Sequence, residues 1–96
     1  MIRHTVAFTL GHDEGGEAER AFLEDARALG NIAGVRNFEQ LRQVGLKAPY
    51  RFAFSMEFED QDAYAAYNEN PVHVAFVRDR WAGEVTDFLE LDYVLL

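Results

Sequence analysis

Apolar and polar residues alternate along much of the chain, and the alternation changes period in a definite order. From Met1 to Leu10, one face carries Ile2, His4, Val6, Phe8 and Leu10, and the other Arg3, Thr5, Ala7 and Thr9. Period two predicts a strand. After a polar break at 11–16, Ala18, Phe22, Ala26 and Leu29 fall at helical spacing, so Glu17 to Leu29 reads as a helix that Gly30 ends. Val35 to Val44 reads as a second strand. Tyr50 to Phe58 is the plainest strand, with Tyr50, Phe52, Phe54, Met56 and Phe58 on one side and Arg51, Ala53, Ser55 and Glu57 on the other. Asp60 can cap a short helix through Tyr67. Asn70 can cap another, with Pro71 at its first position, where a missing N–H costs nothing, running to about Ala82. Phe88 to Leu96 reads as the last strand. The order is β-α-β-β-α-β with a broken second helix. That predicts a ferredoxin-like α+β fold, an antiparallel four-stranded sheet with helices on one face.

The two sheet faces differ. Phe8, Phe54 and Leu91 mark the face expected to take the helices. The other carries Thr5, Ala7, Thr9, Ala53 and Ser55, with Phe38 and Phe88 among them. It is neither a clean core nor a charged solvent surface. Two such faces packed together would make a partly polar barrel lumen, so a homodimer through the sheet faces and the C-terminal strand is expected; a solvated sheet face is the alternative.

Composition sharpens this picture. The 96 residues suffice for one domain, 1–96, and 49% of them are hydrophobic, enough to fill a core. Acids outnumber bases by 17 to 9, giving a net charge of −8. Such a surface repels phosphate backbones and anionic headgroups, so neither nucleic acid nor membrane is an expected partner. No cysteine is present, which excludes disulfides, thiolate zinc sites and a cysteine nucleophile. The alternating N-terminal stretch does not read as a signal peptide, and the expected location is the cytoplasm. Eight of the nine basic residues are Arg, pointing to a GC-rich bacterial source.

Three polar residues stand out as candidate chemistry. His73 would be the third residue of its helix, where the dipole disfavours a cation, so its imidazole should stay neutral and able to act as a general base. It shares a stripe with Val77 and Arg80. A capping or packing histidine without chemistry is the alternative. Tyr67 could donate to a carbonyl or enolate oxygen, or be a core tyrosine. His4, on the helix side of the first strand, would face the same layer as both; such convergence on an apolar layer suits a small-ligand pocket. His12 reads as a solvated loop residue, and Trp81 as core or dimer contact. No carboxylate is plainly paired with His4 or His73, so a metal site is not favoured. No phosphate loop, nucleophile elbow or haem motif appears, and no cofactor is expected.

The segments Met-Ile-Arg-His-Thr-Val-Ala-Phe (1–8), Ile-Ala-Gly-Val-Arg-Asn-Phe-Glu (32–39), Phe-Ser-Met-Glu-Phe-Glu-Asp (54–60), Ala-Tyr-Asn-Glu-Asn-Pro-Val-His-Val-Ala-Phe (66–76) and Leu-Asp-Tyr (91–93) together resemble the stress-responsive A/B barrel domains, which are dimeric α+β barrels. The resemblance implies two sheets from two chains closing into one barrel. It also implies a functionally mixed family: stress-associated or uncharacterised proteins, and some cofactor-free polyketide cyclases that use a Tyr and a His at the positions of Tyr67 and His73. For this chain the first reading is a small-molecule-binding homodimer, and the alternative a cofactor-free cyclase or lyase with His73 as general base and Tyr67 as donor. His4 matches the family's first-strand histidine. The chain departs from the family pattern at Asn70, often a His, and at Thr9, often basic. On this resemblance the ligand is a small apolar or polyketide-like molecule. A cofactor-free monooxygenase on the same barrel plan is a third reading.

Overall fold

The computed structural model describes residues 1–96. Strand β1 (Ile2–Leu10) leads to helix α1 (Glu17–Ala26), whose end tightens into a 3₁₀ turn (Arg27–Asn31). Strands β2 (Arg36–Arg42) and β3 (Phe52–Phe58) follow. Helix α2 (Gln61–Glu69) and a second helical stretch then lead to β4 (Val85–Tyr93); the stretch is α3 (Pro71–Phe76), a π-helical turn (Val77–Trp81) and α4 (Ala82–Glu84). The sheet is antiparallel in the order β2-β3-β1-β4, the ferredoxin-like arrangement. Both expected caps form. The Asp60 side chain accepts from the Ala63 N–H and that of Asn70 from the Val72 N–H. The helical path runs two residues beyond Ala82, and β4 begins three residues before Phe88.

Helices cover one face of the sheet. Phe8, Phe22, Phe54, Met56 and Phe58 are fully buried between the layers. Each phenyl ring so enclosed is worth about 1.5–3 kcal/mol. The rings meet at angles, with Phe8 edge-on to Phe54 at 4.7 Å between centroids.

Three residues take the face opposite to the one expected. Phe38 joins the helix side: a bulge between Arg36 and Glu39, with Asn37 at φ 53°, resets the alternation of β2. Its ring lies 5.6 Å from that of Phe54 and fills the space at Gly30, where an added Cβ would sit 2.9 Å from it. Phe88 and Leu91 exchange sides because β4 pairs with β1 as Phe8↔Phe88, Val6↔Glu90 and His4↔Asp92, leaving Thr5↔Leu91 on the open face. The strand thus turns Glu90 and Asp92 toward the helices and its leucines, with Asp87, away from them. Polar partners on the helix side account for this inversion, as described below.

The 11–16 loop is pinned at two places. Buried Glu19 accepts from the Gly15 N–H at 3.0 Å and lies 3.3 Å from Arg51, which also meets Glu14 at 2.6 Å. His12 is not a solvated loop residue: its Nε2 meets Glu84 at 2.6 Å, tying the loop to α4.

Candidate functional site

A cavity of about 310 Å³ opens between the sheet and the helical layer. Its 13 lining residues include nine hydrophobic ones, and among the rest are His4 and His73; Tyr67 also lines it. All three residues singled out in the sequence therefore converge. The Tyr67 ring lies 4.5 Å from that of His73 and 6.3 Å from that of His4. Each comes from a different element: β1 carries His4, the last turn of α2 carries Tyr67, and the Asn70-Pro71 break starts α3 so that His73 folds back over Tyr67. Trp81, packed on Phe8 and edge-on to Phe88, forms part of the wall as well as of the core.

His4 is almost wholly buried and is held by a cluster that the sequence did not disclose. Its Nδ1 lies 2.6 Å from Asp92 Oδ1, 2.9 Å from the Tyr64 hydroxyl and 3.7 Å from Glu90 Oε1. The Tyr64 hydroxyl donates to Asp92 Oδ2 at 2.9 Å. A carboxylate only accepts, so Nδ1 carries the proton, and Nε2 is the ring nitrogen left for a ligand. The expectation that no carboxylate pairs with His4 is overturned. His4, Glu90 and Asp92 also bring three ligand atoms within 4.8 Å of one another, a set that could take a divalent cation. One signal for this cluster was present: acids at period two, Glu90 and Asp92, interleaved with Leu89, Leu91 and Tyr93.

The titration shifts follow from burial. Desolvation, then the hydrogen bond to Asp92 and the charges of Asp92 and Glu90, push the Tyr64 phenol well up, so it remains a donor. Tyr67 is pushed up in the same direction, first by burial and then by the charge of Glu90. His73 is shifted below its ordinary value, chiefly by burial and in a smaller part by His4, against the opposing pull of the Asn68 carbonyl and Glu90. The Asn68 carbonyl stands 3.1 Å from His73 Nδ1 and can only accept. Neutral His73 therefore holds its proton on Nδ1 and a lone pair on Nε2. The site sets a proton acceptor at His73 next to a phenol donor at Tyr67.

The model of the stress responsive A/B barrel domain (Dabb) matches residues 2–95. Among solved structures, a Dabb family protein with a ferredoxin-like fold from Mesorhizobium loti is 59% identical, with a TM-score of 0.98 over 99% of this chain and 96% of that one. A dimeric ferredoxin-like protein from Thermobifida fusca is 23% identical, with a TM-score of 0.80 over 98% of this chain and 90% of that one. A hydroxynitrile lyase from Passiflora edulis is 16% identical, with a TM-score of 0.85 over 99% and 93%. The last two likenesses concern the fold alone. No curated protein matches the chain. With the family model spanning all but the first and last residues, the chain belongs to the stress responsive A/B barrel domain family.

Proposed function

We propose that this chain works as a homodimer whose cavity binds a small, largely apolar carbonyl compound and performs cofactor-free acid–base chemistry on it. The observation that carries the reading is the pairing of His73 and Tyr67 in one apolar cavity, with the His73 tautomer set by Asn68. In the proposed step, His73 Nε2 takes a proton from the carbon next to the substrate carbonyl. The electron pair of that C–H bond moves onto the carbonyl oxygen, and the Tyr67 hydroxyl stabilises the enolate by donating a hydrogen bond to it. His4, oriented by Asp92, binds the substrate through Nε2. The carbanion equivalent is then free to close a ring or to lose a neighbouring group, as in a cyclase or lyase. The fold's use by a hydroxynitrile lyase supports an enzymatic reading of the cavity. Apolar lining in nine of 13 positions supports ligand binding even without turnover, which is the second reading.

The dimer rests on the open face of the sheet. Leu41, Leu89, Leu91 and Tyr93 are each about half exposed there, around the smaller Thr5, Ala7, Ala53 and Ser55. A second copy stacked on this face would cover an apolar stripe that is costly to leave in water. That the matched ferredoxin-like protein from Thermobifida fusca is dimeric supports a dimer here.

Three outcomes are expected. Light scattering at micromolar concentration should give about twice the chain mass of 11.0 kDa, and Leu91→Glu should reduce it toward that of one chain; a well-folded wild-type monomer would contradict the dimer. With ethyl benzoylacetate as probe in D₂O, the wild type should speed exchange at the central CH₂. His73→Ala should lose about 10²–10⁴-fold of that rate with its melting temperature nearly unchanged, and Tyr67→Phe should be slower than wild type. A loss of stability without loss of rate would end the catalytic role. Finally, the His73 ring proton followed by NMR should titrate with a midpoint below 6.5. The sign has a stability consequence. A folded-state value below the unfolded one means that His73 favours folding above pH 6.5 and that this contribution is lost as pH falls through the folded value. A midpoint above 6.5 would contradict the neutral base.

A further inference from the structure

The charges around the cavity are one-sided. Glu90 is its one carboxylate-bearing lining residue, and no Arg or Lys lines it. Four of the arginines are engaged elsewhere: Arg51 with Glu14 and Glu19, Arg80 with Asp25 and Glu84, Arg3 with Glu57 and Arg36 with Glu59. Glu90 has only the Tyr64 hydroxyl at 3.3 Å and His4 Nδ1 at 3.7 Å, and Asp92 shares that same Nδ1. The His4 imidazole can offset at most one of these two carboxylates, so with His73 neutral the site keeps a net negative charge whatever the state of His4.

The walls around that charge are aromatic. Trp81 and Phe88 meet edge-on at 5.7 Å, and Tyr67 and Phe76 complete the apolar side. Ring faces attract a cation and carry no compensating charge for an anion. Glu90 is about half exposed at the cavity, so a carboxylate or phosphate entering beside it would meet a partly screened like charge with no cationic partner, which is unfavourable at low salt. An ammonium group would meet a carboxylate and ring faces together.

We propose that Glu90 makes the cavity selective by charge, so that the carbonyl compound it takes bears a protonated amine and its carboxylate counterparts are excluded. This rests on the reading that the cavity is the ligand site and names the substrate class for it. Glu90 acts here as a specificity-determining residue. Gln at this position would keep the shape while removing the charge, and Tyr64 would still donate to Asp92.

The test is calorimetric titration with three probes that share one body: 1-naphthylmethylammonium, 1-naphthylmethanol and 1-naphthoate. At low salt the wild type should bind the ammonium about tenfold tighter than the alcohol, and the carboxylate about tenfold more weakly than the alcohol. The spread should shrink in about 1 M salt. Glu90→Gln should bring the three within about twofold. Glu24→Gln, which removes the same charge from the exposed side of α1, should leave the order intact. Equal affinities in the wild type, or an order that survives in Glu90→Gln, would overturn the charge selection while leaving the ligand site standing. Failure of all three probes to bind would overturn the ligand site itself, and this inference with it.

Discussion

The hydrogen bond between His4 Nδ1 and Asp92, 2.6 Å long and closed by the Tyr64 hydroxyl, decides which way the last strand faces. Alternation requires that if Asp92 points to the helices, then Glu90 and Phe88 do too, and Leu89, Leu91 and Tyr93 point away. A shift by one residue would bury the leucines and expel both acids. Hydrophobicity alone favours that shifted strand. It is opposed by a buried histidine that would then lack a partner, where a charge-assisted hydrogen bond is worth about 1.5–3 kcal/mol, and by the loss of Phe88 from the helix side, which costs about as much again.

The two faces of the molecule follow from that one constraint. On the helix side, Glu90 and Phe88 help line a cavity that a row of leucines would have filled, and His4 lines it with Nδ1 already engaged by Asp92. On the open side, the displaced leucines and Tyr93 form the stripe on which the proposed dimer rests. Site and interface are thus two sides of one strand. A change that turned β4 over would alter both, whereas a substitution at Glu90 or Leu91 alters only the side it faces.

Much of this was legible in the chain. The alternation of β3, the Asp60 and Asn70-Pro71 caps and the helical spacing from Glu17 each have a local cause, so the element order and the ferredoxin-like arrangement could be read directly. Tyr67, His73 and His4 could be named because a helix break and a strand face place them in one layer. Three things could not be read. Phe38 changed sides because a single residue, Asn37, adopts a left-handed conformation, and nothing in its neighbours requires it to. Leu91 and Phe88 changed sides because the partners of β4 lie some 90 residues away in β1. Tyr64 and Asp92 could not be paired with His4 for the same reason: the two-residue spacing of Glu90 and Asp92 is visible in the chain, but their partners appear only once β1, β4 and α2 are assembled.

The orientation of β4 by His4 and Asp92 is the claim on which the rest stands, and a double-mutant cycle measures it directly. Unfolding free energies of the wild type, His4→Ala, Asp92→Ala and the double variant give the coupling between the two side chains. The account predicts a coupling of about 1–3 kcal/mol, with the second substitution costing far less once the first is made. Losses that simply add, to within about 0.5 kcal/mol, would show that the two groups do not hold the strand and would contradict it.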